Sequence, residues 1–366
     1  MRWNVTLKEN KRVMPLIIPI FIKNRGCPHR CIFCHERMVA GDHPDEITEV
    51  SVRSAVEQYL SGATKKRGEI QIAFYGGNFT GLDEQEQSRL LGLTEPYLED
   101  GRVHSLRISA RPDAIDSRIL DRLRAYRVRT VEIGAQSMND EVLRLSERGH
   151  TAREVVKAVH LSQEKELETG IHLMAGLPGD NPERFSETLE AVIAMKPAMV
   201  RLHPTIVFQG TVLGKLYRTG GYRPLGMDEA VSLCKSAVRK LTAHGIPIIR
   251  LGLQTTKEME TPGNILAGPY HPAFGALVYE SLFCDMAKAL LTHRPYPERR
   301  VAFRVSPADA SHLRGRGQYN LKTLKEAFGL TEIIVTPDES LQRGILAIQE
   351  AAPDAPQLTT SLSDLV

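Results

Sequence analysis

The sequence predicts an α/β protein whose parallel β/α units are either closed as a barrel or wound as an open sheet. Three observations carry that reading. Short β-rich apolar runs recur along the chain, helical patterns lie between them, and the residues suited to chemistry stand just after the runs. Alternation of this kind lets a parallel sheet bury itself under its own crossover helices. Chemistry in such folds sits at the C-terminal ends of the strands.

In chain order the predicted strands are residues 15–22, 70–75, 105–109, 130–134, 170–175 and 199–204, six units within about the first 210 residues. Between them, segments such as 141–145 and 152–163 carry apolar residues at three- and four-residue spacing, the signature of a helix with one buried face. From 209 to about 293 the alternation loosens; 209–224 and 261–272 are rich in Gly, Pro and aromatics and read as loops wrapping a barrel mouth. After 295–297 comes a compact pattern of strand 301–305, a glycine turn, helix 321–328 and strand 332–336. The tail after Ala351 is polar, contains prolines and is expected to fray. The expected organisation is a barrel over 13–210, its extension over 211–293, a small α+β unit over 294–345 and a tail over 346–366.

Composition bounds the answer further. The 366 residues suit two or three domains at roughly 100–200 residues each. With 42% hydrophobic and 25% charged residues the chain is not a disordered one. Lys plus Arg total 47 against 44 acids, and a surplus of three does not by itself argue for nucleic acid, so any basic patch must be local. The longest apolar run, 16–22, is interrupted by Pro19 and is too short for a bilayer. Nothing at the N-terminus reads as an export signal, so a cytoplasmic protein is expected, with no membrane partner.

Of the five cysteines, Cys27, Cys31 and Cys34 sit within eight residues, while Cys234 and Cys284 are isolated. An odd, clustered set without an export signal reads as metal binding rather than a disulfide framework. Three thiolates at Cys-x3-Cys-x2-Cys can hold three corners of a [4Fe–4S] cubane, which normally takes four. The open iron could then bind something else. A zinc site completed by His29, His35 or His43 is the alternative on spacing alone. Cys234 and Cys284 read most simply as buried apolar thiols, with a methyl carrier or auxiliary ligand as the other option.

The stretch Gly26-Cys27-Pro28-His29-Arg30-Cys31-Ile32-Phe33-Cys34 follows a β-run and has an aromatic before the third cysteine. Downstream come Phe74-Tyr75-Gly76-Gly77-Asn78-Phe79-Thr80, then Ile108-Ser109-Ala110-Arg111-Pro112-Asp113. Val131-Glu132-Ile133-Gly134-Ala135-Gln136-Ser137 and Arg148-Gly149-His150-Thr151 follow, and Met174-Ala175-Gly176-Leu177-Pro178-Gly179 closes the series. In that order these segments resemble the radical S-adenosylmethionine (SAM) superfamily over roughly residues 13–290. They are most similar to the branch containing oxygen-independent coproporphyrinogen oxidase and the Elongator catalytic subunit. The resemblance implies a partial (β/α)6 TIM-like barrel and reductive cleavage of SAM at a [4Fe–4S] cluster to a 5′-deoxyadenosyl radical. It implies an electron donor such as flavodoxin or ferredoxin, and leaves open whether the enzyme is a transferase or an oxidoreductase.

Carried over residue by residue, the resemblance makes Cys27, Cys31 and Cys34 the cluster ligands. It makes Gly76, Gly77, Asn78, Ser109, Arg111, Gln136 and Arg148 the SAM contacts, with Arg148 pairing with the SAM carboxylate. Asn78 and Phe79 stand where relatives often carry an acidic residue and a proline. His172 stands where the coproporphyrinogen oxidases have an Asp that holds the ribose, so it faces either ribose or substrate. His203 replaces a tyrosine usual in the Elongator segment and could donate or accept a proton near substrate.

Elongator-type enzymes add an acetyltransferase domain, and the roughly 75 residues after 290 are too few for one. Acetyl-CoA-dependent carboxymethylation of tRNA is therefore disfavoured as an expectation. Leu313-Arg314-Gly315-Arg316-Gly317-Gln318, followed by a helix and a strand, resembles a KH-type RNA-binding module, whose G-x-x-G loop clamps a nucleic-acid backbone. Here Gln318 stands at the second glycine. Basic residues outnumber acids around this loop, and Arg314, Gly315, Arg316, Gly317 and Lys322 are the candidate RNA contacts. A β-α-β cap closing the barrel is the other reading. The expected whole is thus a partial (β/α)6 TIM-like barrel with a C-terminal extension and a small α+β KH-like cap. It would modify a nucleotide flipped out of tRNA or ribosomal RNA. Two rivals stand beside this: a radical enzyme acting on a tetrapyrrole or other metabolite, and a non-enzymatic metal-containing RNA-binding protein.

Overall fold

Seven strands build one parallel sheet: β1 (Leu16–Phe21), β2 (Ile70–Tyr75), β3 (Ser105–Ala110), β4 (Val128–Gln136), β5 (Glu168–Ala175), β6 (Met199–Pro204) and, after the two-residue β7 (Val207–Phe208), β8 (Ile248–Leu251). Their order across the sheet is β1-β2-β3-β4-β5-β6-β8, every pair parallel. The computed structural model describes residues 15–364 apart from 24, 29, 36–37, 39, 42–45, 62–67, 293–295, 297 and 350–357.

Strand order that never reverses is that of a barrel wall; a doubly wound sheet would turn back at a switch point. All crossover helices therefore cover one face, and the other face is the inside of a half-barrel. The helix Ala152–Glu164 starts with Thr151 in a capping box with Glu154 and buries Val155, Ala158 and Val159 against the sheet. The helix Met227–Ala243 buries Ala230, Cys234, Ala237, Val238 and Leu241, a stripe at helical spacing. Cys234 is thus an apolar core residue, and burial pushes its thiol up to about 12.

Six strands were expected, and the seventh, β8, falls in the segment where alternation loosens. It is four residues long, half-exposed throughout, and carries Arg250. Part of the region expected as loops is also ordered: β7 pairs antiparallel with β9 (Ile265–Ala267), and the helix Phe274–Thr292 lies beyond them.

The C-terminal sheet has the order β11-β10-β12-β13, with β10 (Arg300–Val305), β11 (Glu332–Pro337), β12 (Ile345–Gln349) and β13 (Thr359–Ser361). Strands β10 and β11 are parallel and joined by the helices Ala310–Arg314 and Tyr319–Phe328, whereas β12 runs antiparallel to β10. This unit shares its core with the barrel, since Phe303, Val305, Leu313 and Leu324 belong to the same buried cluster as Leu282 and Met286 of the helix Phe274–Thr292. The frayed tail is corrected: β13 pairs with β12 and Leu362 is 7% exposed, while 350–357 lie outside the described residues. Among the described residues no helix is long and apolar enough to cross a membrane.

Candidate active site

A cavity of about 660 Å³ fills the concave side of the half-barrel. Side chains enter it at alternate positions along each strand: Ile17, Pro19 and Phe21 from β1, Arg107 and Ser109 from β3, Glu132 and Gln136 from β4, His172 and Met174 from β5, Arg201 and His203 from β6. Period two is what a strand dictates, so these side chains leave one face of the sheet.

The loop after β1 brings Cys27, Cys31 and Cys34 to this cavity. Arg148 Nη1 donates to Cys31 Sγ at 2.9 Å. Burial raises the Cys27 thiol, while Arg111 and Arg148 pull it the other way. All five cysteines are described and none is in a disulfide. Among the described residues no three His, Cys, Asp or Glu side chains gather round a single point as metal ligands. Three thiolates brought to one cavity are the donor set that a cubane takes, one on each of three irons. The donor set fits the cluster. Of the histidines considered for zinc, His35 lines the cavity, and His29 and His43 lie outside the described residues.

The turn after β2 holds the cysteine loop in place. Gly76 and Gly77 line the cavity, but the space at Gly77 is taken by the chain itself: a Cβ there would lie 2.8 Å from the Arg25 carbonyl oxygen and 2.9 Å from Ile22 Cγ1. Asn78 is a correction. It is 1% exposed and is absent from the cavity wall; its Nδ2 donates to Gly26 O at 2.9 Å and its Oδ1 accepts from Arg111 N at 2.9 Å. It ties the turn after β2 to the cysteine loop and β3 instead of reaching a ligand.

Gln136 and Arg148 converge on the same wall. Gln136 has φ 69° where the pairing of β4 with β5 slips, a conformation that costs a non-glycine residue energy. The slip turns its side chain into the cavity, where the buried Oε1 has no hydrogen-bond partner. Arg148 Nη2 donates to Gly134 O at 2.5 Å, and its Nε is buried without an acceptor. Arg111 is held by Asp113 at 3.0 Å and donates to Arg148 O at 2.5 Å, so it positions Arg148 besides lining the cavity. Ser109 lines the wall beside them.

His172 and His203 meet edge to face, ring centroids 4.7 Å apart. His203 Nδ1 lies 3.2 Å from Pro204 O, which puts the ring hydrogen on Nδ1 and leaves Nε2 as an acceptor. Burial holds His172 well below the ordinary range, with His203 next in effect, and pushes His203 down to about 4. His150, beside Arg148, is also pushed down to about 4 by burial. All three stay neutral in the folded protein at a pH that protonates an unfolded histidine, ordinarily 6.5. Stability present above that value is therefore lost as pH falls toward 4. Asp180, pushed up to about 6 by burial, acts in the opposite sense and offsets one of the three. The urea midpoint is expected to be lower at pH 5 than at pH 7; an equal or higher midpoint would show these histidines to be solvated.

The wall also holds a charged group that the motifs did not reveal. Glu132 accepts from Arg107 Nη1 and from the Tyr75 hydroxyl, each at 2.7 Å, and its Oε2 lies 2.6 Å from Arg201 Nε. Arg201 also donates to the Tyr75 oxygen at 2.6 Å, and Arg250 stands beside it on β8. The available signal was a charged residue inside each of three largely apolar strands, Arg107 in β3, Glu132 in β4 and Arg201 in β6.

Among the candidate RNA contacts, Arg316, Gly317 and Lys322 are exposed. Arg314 is half-buried and its Nη2 donates to Val335 O at 3.3 Å. Gly315 serves packing, since a Cβ there would lie 2.9 Å from Asn320.

Profile comparison settles the family. The radical SAM superfamily matches residues 21–192, and the radical SAM C-terminal domain matches 197–283. The chain belongs to the radical SAM superfamily. It is an enzyme whose cofactors are a [4Fe–4S] cluster and SAM. This radical SAM chain is 25% identical over 260 residues to the tRNA uridine(34) acetyltransferase of Methanocaldococcus jannaschii, covering 60% of this chain and 48% of that protein. An uncharacterized protein of the same organism is 25% identical over 281 residues, covering 73% of this chain and 83% of its own. Human Elongator complex protein 3 is 25% identical over 262 residues, 59% of this chain and 48% of that protein. The chain thus spans about half the length of the acetyltransferase and Elongator relatives it matches. The solved structure of archaeal Methanocaldococcus infernus Elp3 with an N-terminal deletion shares the fold, with a TM-score of 0.58 at 20% identity, over 79% of this chain and 70% of that one.

Proposed function

We propose that this radical SAM enzyme modifies a nucleotide of tRNA or ribosomal RNA. The observation that carries the reading is a basic loop linked to the rim of the cavity. Arg316, Gly317, Tyr319 and Lys322 are exposed at the junction of the two helices of the C-terminal unit, and Tyr319 is 69% exposed. Arg316 Nη1 lies 3.2 Å from His271 Nε2. His271 follows Gly268, which packs against Thr205 and Ile206, and Ile206 lines the cavity. Basic side chains with an exposed aromatic suit a single strand, whose phosphates pair with cations and whose bases stack. The tRNA-modifying names of relatives such as the uridine(34) acetyltransferase agree with it.

In this reading Cys27, Cys31 and Cys34 would hold the cluster, and SAM would bind beside it. When bound, the reduced cluster supplies the electron that breaks the SAM carbon–sulfur bond. Arg148 presents its guanidinium to the SAM carboxylate, Arg111 and Gly134 fix its direction, and the Gln136 side chain finds its missing partner on the same ligand. The backbone of Gly76 and Gly77 and the Ser109 hydroxyl complete that wall. His172 faces the ribose or the substrate, and neutral His203 accepts a proton or hydrogen bond rather than donating one as an acid. The electron donor is of the flavodoxin or ferredoxin kind, and the enzyme works in the cytoplasm.

The test is 5′-deoxyadenosine release by the anaerobically reconstituted holoenzyme with SAM and dithionite, with and without bulk cellular RNA, alongside RNA binding across a salt series. Release should rise with RNA. Replacing Arg316 and Lys322 together by Ala should weaken binding and flatten its salt dependence by about one to two phosphate contacts. Slow release that RNA leaves unchanged, with no affinity in low salt, would turn the substrate search to metabolites.

A further inference from the structure

Among the described residues of the cavity wall, Glu132 is the only acid, yet Arg107, Arg201 and Arg250 enter the same cavity. The carboxylate is fully used. Oε1 serves Arg107 and Tyr75, and Oε2 lies against Arg201. Arg250 has no hydrogen-bond or ion-pair partner among the described residues. Arg201 and Arg250 are register partners on β6 and β8, so their side chains leave the same face about 5 Å apart at the backbone. Two guanidiniums side by side in a recess, with one carboxylate already shared three ways, leave unbalanced positive charge. Burial and the Arg201 charge both press the Arg250 guanidinium toward losing its proton. Neutral His172 and His203 add nothing to the balance.

We propose that Arg201 and Arg250 form an oxyanion subsite of this cavity, taken by a phosphate or carboxylate group of the substrate. The two planar forks offer paired N–H groups of the geometry such an oxyanion accepts. The Arg201 guanidinium is already set, stacked 4.7 Å from the Tyr75 ring centroid and tied to Glu132. Arg250 is the half of the pair with no partner among the described residues. This subsite is separate from the SAM carboxylate contact, which falls to Arg148 beside Cys31. The subsite deepens the proposed function by naming what the substrate must carry, and it does not depend on that substrate being RNA.

The test uses the reconstituted holoenzyme saturated with SAM, so that Arg148 is occupied, titrated calorimetrically with uridine 5′-monophosphate, inorganic phosphate and acetate, with uridine as the uncharged control. An oxyanion probe should bind, more tightly at low salt. Its affinity should fall on the order of tenfold or more in Arg250→Gln and recover in part in Arg250→Lys. Because Arg250 has no hydrogen-bond partner among the described residues, its replacement should leave the urea midpoint near that of the wild type. Binding by the two phosphate probes assigns a nucleotide phosphate, and binding by acetate alone assigns a carboxylate. Binding by none of the three, or equal affinity in Arg250→Gln, overturns the subsite. Anion binding with no RNA-stimulated release keeps the subsite and removes the RNA reading.

Discussion

Cys31→Ala is expected to strip the reconstituted protein of most of its iron and sulfide and to abolish SAM cleavage. In the proposed assignment three thiolates would hold the cubane where four are usual, so no spare ligand would compensate for the loss of one. Cys31 is also the most enclosed of the three, 8% exposed, and it anchors the Arg148 guanidinium at 2.9 Å. One substitution therefore removes a ligand and loosens the residue assigned to the SAM carboxylate. Iron and sulfide content, visible absorbance and 5′-deoxyadenosine release check it together. Cys234→Ala is the control, because Cys234 is 0% exposed within the helix–sheet core and should keep its full complement of iron. Undiminished iron and release in Cys31→Ala would overturn the ligand assignment.

Glu132→Gln is expected to destabilise the barrel by about 3–5 kcal/mol, among the larger effects a single substitution produces. The Arg107 and Glu132 side chains are 2% and 6% exposed, and their charges touch at 2.7 Å. Glutamine keeps the shape but not the charge, so Arg107 is left buried and uncompensated, with Arg201 beside it. Most of the loss comes from that stranded cation, not from the net worth of the pair. Urea unfolding measures it. Glu49→Gln is the comparison, since the Arg53–Glu49 pair is 59% and 70% exposed and solvent screens most of its attraction. A Glu132→Gln midpoint no lower than that of Glu49→Gln would show that the cluster is solvated and not a structural tie.

The same cluster marks where the sequence stops being informative. Six strands are legible because each is a short apolar run closed by a turn, and burial under helices demands such runs. The seventh is not, because an edge strand of four half-exposed residues needs no apolar run, and β8 carries Arg250 instead. Strand β13 escapes for a related reason: three residues, Thr359–Ser361, are held by pairing with β12 and by Leu362 rather than by a pattern of their own.

The site divides along the same line. Cys27, Cys31 and Cys34 can be read directly, because three cysteines within eight residues of one loop stay together whatever the rest of the chain does. The Gln136 and Arg148 pairing needed the ordered motifs around it. Asn78 looked like a ligand contact from its place after two glycines, but hydrogen bonds to Gly26 and Arg111 turn it into the fastening between three loops.

Local spacing thus gathered the three cysteines into one loop and made the alternation of the barrel legible. Which charges face one another did not follow from it. Arg107, Glu132, Arg201 and Arg250 lie on four different strands, and each has an ordinary surface reading taken alone. Strand register and the curvature of the half-barrel turn all four toward one cavity, because partners across a sheet are set by hydrogen-bonding neighbours far away in the chain. The identity of the radical enzyme is therefore local information, and the charge of the chamber in which it meets its substrate is a property of the folded sheet.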